Sequence, residues 1–229
     1  MTYATARQVL PAFLVRWVYH FEAELDRAVE EFARALPEGS RVLDAGAGEA
    51  RHRECFAGRR YVAVDLAVGD ASWNYGGLDV VADLAALPFA DGAFEAALNI
   101  VTLEHLPEPG AALKEMARVM QAGARLLVVA PHQWEVHQAP HDYYRYTVHG
   151  LTYLLRKAGF EVEAVRAVGG LYRLLARRLW AAALLFGAPW RWVALVVAAP
   201  LALALPVFDR VDRKGDYTPG YIALARRAA

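Results

Sequence analysis

The sequence predicts an α/β protein built on an open, doubly wound and mostly parallel sheet. Three observations carry that reading. Short apolar runs alternate with helical intervals from residue 41 to residue 168. These runs are rich in Val, Leu and Ala without strict alternation, as strands covered on both faces are. The first run ends in a tight glycine turn and the second in an acid, Asp65, about 20 residues on, the separation expected of a nucleotide-binding βαβ unit.

Residues 5–36 mix apolar and charged positions at helical spacing, and Pro37-Glu38-Gly39-Ser40 stops them. Strand-like runs follow at 41–45, 60–65, 78–82, 94–101, 124–130 and 160–168. Helical stretches are expected at 49–57, 108–121 and 148–158. Gly123 and Gly159 stand where C-terminal caps belong. Thr147 is placed to cap Val148–Ala158. A last strand candidate, Tyr221–Ala225, comes after an apolar block. The chain reads as a single domain: a helical segment 1–40, a cofactor-binding core 41–168, an apolar helical insertion 169–210 and the last strand within 211–229.

Composition bounds the function. A chain of 229 residues is long enough for a well-buried core. Lys+Arg 25 balances Asp+Glu 25, so bulk charge gives no reason to expect a nucleic-acid partner. The one cysteine, Cys55, excludes an internal disulfide and fits a reducing, cytoplasmic setting. The apolar run Val9–Val18 is broken by Pro11 and Arg16 and does not read as a secretory signal. Hydrophobic content is 57%, and much of the excess lies between Leu171 and Phe208.

The stretch Val42-Leu43-Asp44-Ala45-Gly46-Ala47-Gly48-Glu49-Ala50 is a strand end, an acid and a glycine turn. With Asp65 it points to an adenosine-containing cofactor. Dinucleotide sites place a further glycine where a helix approaches the pyrophosphate. Nothing of that kind follows Gly48 closely, so a cofactor without phosphates fits better, and S-adenosylmethionine is the expected one.

In order along the chain, Val42–Gly48, Val62-Ala63-Val64-Asp65-Leu66 and Ala82-Asp83-Leu84 before Leu87-Pro88-Phe89 are followed by Phe94–Val101 with Leu103-Glu104-His105-Leu106, and then by Glu115–Met120 with Gly123–Val129. This series resembles the class I S-adenosylmethionine-dependent methyltransferases of the small-molecule type. The resemblance implies a Rossmann-like sheet of seven strands with an antiparallel last strand. It implies cofactor contacts at Asp44, Ala45, Gly46, Gly48, Asp65, Leu66, Asp83, Leu84, Asn99 and Ile100. Asp65 would accept from both ribose hydroxyls, Asp44 would sit under the loop near the methionine end, and Asp83 with Leu84 would lie by the adenine. The bland role for Asp65 and for Asp83 is a helix cap. The family often has glycine at the position of Ala50, and alanine is tolerable there if its φ is negative.

The segment Pro131–Thr147 follows the fifth strand and holds His132, His137 and His141 with Tyr143, Tyr144 and Tyr146. One reading makes it the acceptor pocket, with His137, His141 or His132 as general base. A second makes it a structural tie between strand and helix. A third, metal binding by His132, His137, His141 and Asp142, is weakened because Pro140 keeps His137 and His141 off one regular helix face. No metal is expected. His105 reads as a helix-start residue.

Leu171, Leu174, Leu175 and Leu179 form one helical stripe with Arg173 and Arg177 away from it, the pattern of a basic amphipathic interfacial helix. Trp192–Phe208 is uncharged and near the lower limit of the ~17–25 residues that span a bilayer. If the last strand joins the sheet, a single crossing is excluded. The block then reads as a monotopic hairpin on the inner face of the membrane, an apolar lid or a homodimer surface. The alternative is packing on the protein's own core. A membrane position suggests a lipid-linked acceptor; otherwise the acceptor is a free small molecule. Two other functions are weighed against methyl transfer: a non-catalytic cofactor-binding scaffold and a nicotinamide-dependent enzyme.

Overall fold

The computed structural model describes residues 3–9, 11–69, 72–212 and 214–229. The chain divides into two compact units, one holding Arg27–Arg166 with Tyr221–Ala229, the other Met1–Asp26 with Ala167–Gly220.

The sheet has seven strands, β1 (Arg41–Ala45), β2 (Arg60–Asp65), β3 (Val80–Val81), β4 (Phe94–Ile100), β5 (Met120–Pro131), β6 (Phe160–Ala167) and β7 (Gly220–Arg227). They lie in the order β3-β2-β1-β4-β5-β7-β6. β1 pairs in parallel with β2 and β4, β2 with β3, and β4 with β5. β7 runs antiparallel to β6: Val168 N–H bonds the Gly220 carbonyl at 3.0 Å, and Ala228 N–H bonds the Gly159 carbonyl at 2.9 Å. The expected mostly parallel sheet with a reversed last strand is therefore present. Val42, Leu43, Ala96, Ala97, Leu98, Val128 and Val129 are all buried, so the central strands are covered on both faces and need no polar alternation. The strand order reverses between β1 and β4, where open α/β sheets bind ligands at their carboxyl edge.

Four local expectations change. The N-terminal helix is three helices, α1 (Tyr3–Val9), α2 (Ala12–Val18) and α3 (His20–Arg34). Pro11, which lacks an N–H, separates the first two. Residues 49–57 form no α-helix, only a 3-10 turn at Arg53–Phe56. Ala50 has φ +54, a left-handed conformation that ends any helix there, and the condition of negative φ is not met. The strand expected at 78–82 shrinks to β3. Gly123 caps nothing: it lies inside β5 at φ +76, where the register against β4 jumps from Phe94↔Met120 to Ala96↔Arg125, a bulge. The remaining helices of this unit are α4 (Pro109–Val119) and α5 (Val148–Lys157). Thr147 caps α5 as expected, its Oγ1 accepting from Gly150 N–H at 3.0 Å, and Gly159 follows the helix at φ +93.

In the other unit α6 (Leu171–Leu184) and α7 (Trp190–Ala204) pack together and continue into a 3-10 stretch, Leu205–Val211. Asp209 and Asp212 receive the first N–H groups of α6, at 3.1 Å from Arg173 and 2.8 Å from Leu171, and so satisfy its otherwise unpaired N-terminus. Leu174, Ala176 and Ala183 are buried, and Leu175 is exposed. Arg173 pairs with Asp209 at 3.3 Å and stacks over Trp17, and Arg177 reaches Glu22 at 3.4 Å. These two cations have partners within the unit, and the exposed surface belongs instead to apolar residues. Trp192, Val193, Val196, Val197, Leu201 and Val207 on the following segment are all more than half exposed. Trp190–Val211 is a run of 22 residues long and apolar enough to cross a membrane by length and composition.

Candidate functional site

The glycine turn is fixed by its neighbours. The N–H groups of Gly46 and Ala47 both donate to the Val64 carbonyl, at 2.8 and 3.0 Å, which ties the end of β1 to β2. Gly46 has φ +87, and a β-carbon there would lie 2.2 Å from Thr102 Cγ2. The Thr102 hydroxyl sits 3.1 Å from both the Gly46 and the Ile100 carbonyls. Gly48 has φ +53, and its missing side chain faces the ring of Trp73. Glycine is therefore required at Gly46 by conformation and by space together.

Asp65 is half-buried at the end of β2, with Leu66 exposed beside it. Its Oδ2 accepts from Gly48 N–H at 3.0 Å and its Oδ1 from Ala67 N–H at 2.8 Å. Each oxygen keeps a second lone pair for a hydroxyl. Asp83 is exposed and its Oδ1 accepts from Ala85 N–H at 2.8 Å, a local turn, while Leu84 is buried. Asn99 is fully buried and donates to the Ala45 carbonyl at 2.7 Å, so it ties β4 to the end of β1, with Ile100 buried next to it. Asp44 is also buried and accepts from the Tyr61 hydroxyl. Burial pushes the Asp44 carboxyl up to about 7 and raises Tyr61 as well. The bare backbone at Gly46–Gly48 and the open lone pairs of Asp65 fit the adenosine part of S-adenosylmethionine. Sequence reasoning missed Thr102 and Trp73, whose signal is only their closeness in space to the two glycines.

The segment after β5 is pinned in place. Arg145 grips Asp142 with two bonds, Nη1 to Oδ1 at 2.6 Å and Nη2 to Oδ2 at 2.8 Å, and donates to the Glu135 carbonyl at 2.7 Å. That guanidinium holds the Asp142 carboxyl well below the usual carboxylate range. Asp142 Oδ2 accepts His137 N–H at 2.8 Å, and Tyr143 N–H bonds the Glu104 carbonyl at 2.8 Å. The three loop histidines separate. His132 packs against Tyr221, and His141 lies beside Tyr143. His137 alone joins Glu104 and His105, which come from a 3-10 turn at Leu103–His105 directly after Thr102. The Glu104 side chain is fully enclosed and neither oxygen has a hydrogen-bond partner. Burial pushes its carboxyl up to about 8 and lowers His105. Glu104 and His105 carried one signal, an acid and an imidazole enclosed between Leu103 and Leu106, of which His105 alone is read from the sequence, as a helix-start residue.

The model of a methyltransferase domain matches residues 43–128. A demethylmenaquinone methyltransferase of Beutenbergia cavernae is 33% identical over 175 residues, which cover 73% of this chain and 72% of that relative. The chain belongs to the class I S-adenosylmethionine-dependent methyltransferases. This methyltransferase is also 38% identical over 108 residues to a demethylmenaquinone methyltransferase of Renibacterium salmoninarum, a match covering 44% of the chain and 45% of that relative. The chain thus spans less than half the length of that relative. The methyltransferase has the fold of the solved Burkholderia thailandensis 1,6-didemethyltoxoflavin-N1-methyltransferase with bound 1,6-didemethyltoxoflavin and S-adenosylhomocysteine. The TM-score is 0.57 at 19% identity, over 100% of this chain and 92% of that one.

Proposed function

We propose that this protein transfers the methyl group of S-adenosylmethionine to a small-molecule acceptor of the quinone class, received by the loop after β5, and that it meets this acceptor at a membrane surface. When bound, the cofactor supplies an already activated methyl group, so the chain's task is alignment. Gly46, Gly48 and Asp65 hold the adenosine, while Thr102 and Asn99 fix the shape of the turn. The cluster Glu104–His105–His137, whose first two members follow Thr102 and Leu103, handles the acceptor's oxygen. The observation that carries this reading is that pairing of a glycine turn with a pinned, histidine-bearing loop. Relatives named demethylmenaquinone methyltransferases support a ring acceptor with a lipid tail. The exposed apolar run of α7 supports a membrane location for it.

Calorimetry with S-adenosylmethionine, S-adenosylhomocysteine and NAD tests the cofactor. The first two bind, and Asp65→Ala weakens them by about 1–3 kcal/mol, the range for lost charge-assisted hydrogen bonds. Binding of NAD alone overturns the reading. Release of labelled methyl groups to a reduced, lipid-tailed naphthoquinone then separates an enzyme from a scaffold: binding with no turnover on that acceptor or on a membrane extract supports the scaffold.

A further inference from the structure

We propose that Glu104, His105 and His137 form a binding site for one divalent transition-metal ion of the zinc class, with an open position for an oxygen of the acceptor. Glu104 Oε1 lies 3.7 Å from His105 Nε2 and 3.8 Å from His137 Nε2, and all three donor atoms fall within 4.8 Å of one another. The two imidazoles stand edge to face with ring centres 4.7 Å apart. Ligand atoms around one tetrahedral zinc ion, at bond lengths of about 2.0–2.2 Å, sit about 3.4 Å apart. Small side-chain rotations bring the three atoms to that spacing.

The proton inventory points the same way. His105 Nδ1 faces the His141 carbonyl, which only accepts, so Nδ1 carries the proton and Nε2 presents a lone pair. His137 Nδ1 lies 3.1 Å from the Glu135 carbonyl and 3.5 Å from Arg145 Nη2. His105 therefore aims a bare Nε2 at the enclosed Glu104 carboxyl, and His137 Nε2 faces the same group. His105 Nε2 and both Glu104 oxygens are buried with no hydrogen-bond partner, and at 3.7 and 3.8 Å the carboxyl is too far from either imidazole to share a proton with it. A cation satisfies all three. Imidazoles held through Nδ1–H by backbone carbonyls are the usual outer support of metal-binding histidines. Two imidazoles with one carboxylate suit zinc, iron, cobalt or manganese better than magnesium or calcium, which prefer all-oxygen sites. Among the described residues this is the one such group of three. The ion site rests on this geometry alone; the acceptor oxygen at its open position rests on the methyl-transfer reading.

The test uses the full chain stripped with a chelator, then titrated with ZnCl2 and with CoCl2 by calorimetry and by the visible absorption of cobalt. One equivalent is expected to bind, with a Glu104→Gln or His137→Gln change weakening it about 100-fold or more and His149→Gln leaving it unchanged. Circular dichroism confirms that each variant is folded, and His137→Gln, on a partly exposed loop, serves if the buried Glu104→Gln chain does not fold. Absence of stoichiometric uptake, or equal uptake by both variants, overturns the site. Binding of S-adenosylmethionine is measured separately: intact cofactor binding with no metal uptake sinks only the ion site. Metal uptake without cofactor binding sinks only the methyl-transfer reading.

Discussion

Thr102 closes over Gly46 so tightly that its Cγ2 would stand 2.2 Å from any β-carbon placed there. The end of β4 thereby dictates the residue type at the end of β1. A Gly46→Ala change must adopt φ +87 and displace Thr102, at a cost of about 2–4 kcal/mol from left-handed strain and overpacking together. Chemical denaturation measures it. The double variant Gly46→Ala with Thr102→Gly, which removes Cγ2, Oγ1 and the Cβ at 2.7 Å, should recover the packing part and leave the strain at residue 46.

Ala50 should respond in the opposite direction. It is a non-glycine residue at φ +54, so Ala50→Gly relieves strain that outweighs the entropy glycine gains in the unfolded chain. The expected gain is about 0.5–1 kcal/mol, seen as a rise in Tm of about 1–4 °C. A fall in Tm would show that the lost methyl contact matters more than the backbone conformation.

Asp44 makes stability depend on pH. Its folded-state value, near 7, lies above the ordinary carboxylate value because it is buried. A raised carboxyl gives stability that is complete below the unfolded pKa and is lost as pH rises through the folded one. Between about pH 4 and pH 7 the wild type should therefore lose stability relative to Asp44→Asn, with a slope of up to about 1.4 kcal/mol per pH unit. Glu104 shifts in the same direction but is common to both chains, so the difference between their denaturation profiles isolates Asp44.

The apolar face of α7 predicts partitioning. Val196 and Val197 are 75% and 63% exposed, so Val196→Lys with Val197→Lys should change stability by less than about 0.5 kcal/mol. Flotation with vesicles of bacterial lipid composition should fall about tenfold or more. If the wild type does not float and instead elutes as a dimer that the substitutions dissociate, the face is a contact between copies.

The sheet and the glycine turn were legible because their information is local. Val42–Gly48 and Val62–Leu66 each carry a strand, a turn and an acid within a few consecutive residues. Three features were not. The helix expected after Gly48 followed from the helix-favouring residues of 49–57, but the turn sets the backbone of Ala50 first. Strands covered on both faces hide which way a side chain points, so the burial of Asn99 and its bond to the Ala45 carbonyl were not legible. The arginines of α6 give the same helical pattern whether their counter-charge is a lipid headgroup or Glu22 and Asp209. The meeting of Glu104, His105 and His137 depends on the path of a long loop, which no spacing encodes.

Because Val168 N–H bonds the Gly220 carbonyl, the excursion through α6 and α7 leaves and returns at a single point on neighbouring strands. Closing such a detour costs only about 0.6 kcal/mol more for each doubling of its length. Chain closure therefore sets little limit on the length of the excursion, and its contacts with Trp17 and Glu22 set the constraint instead.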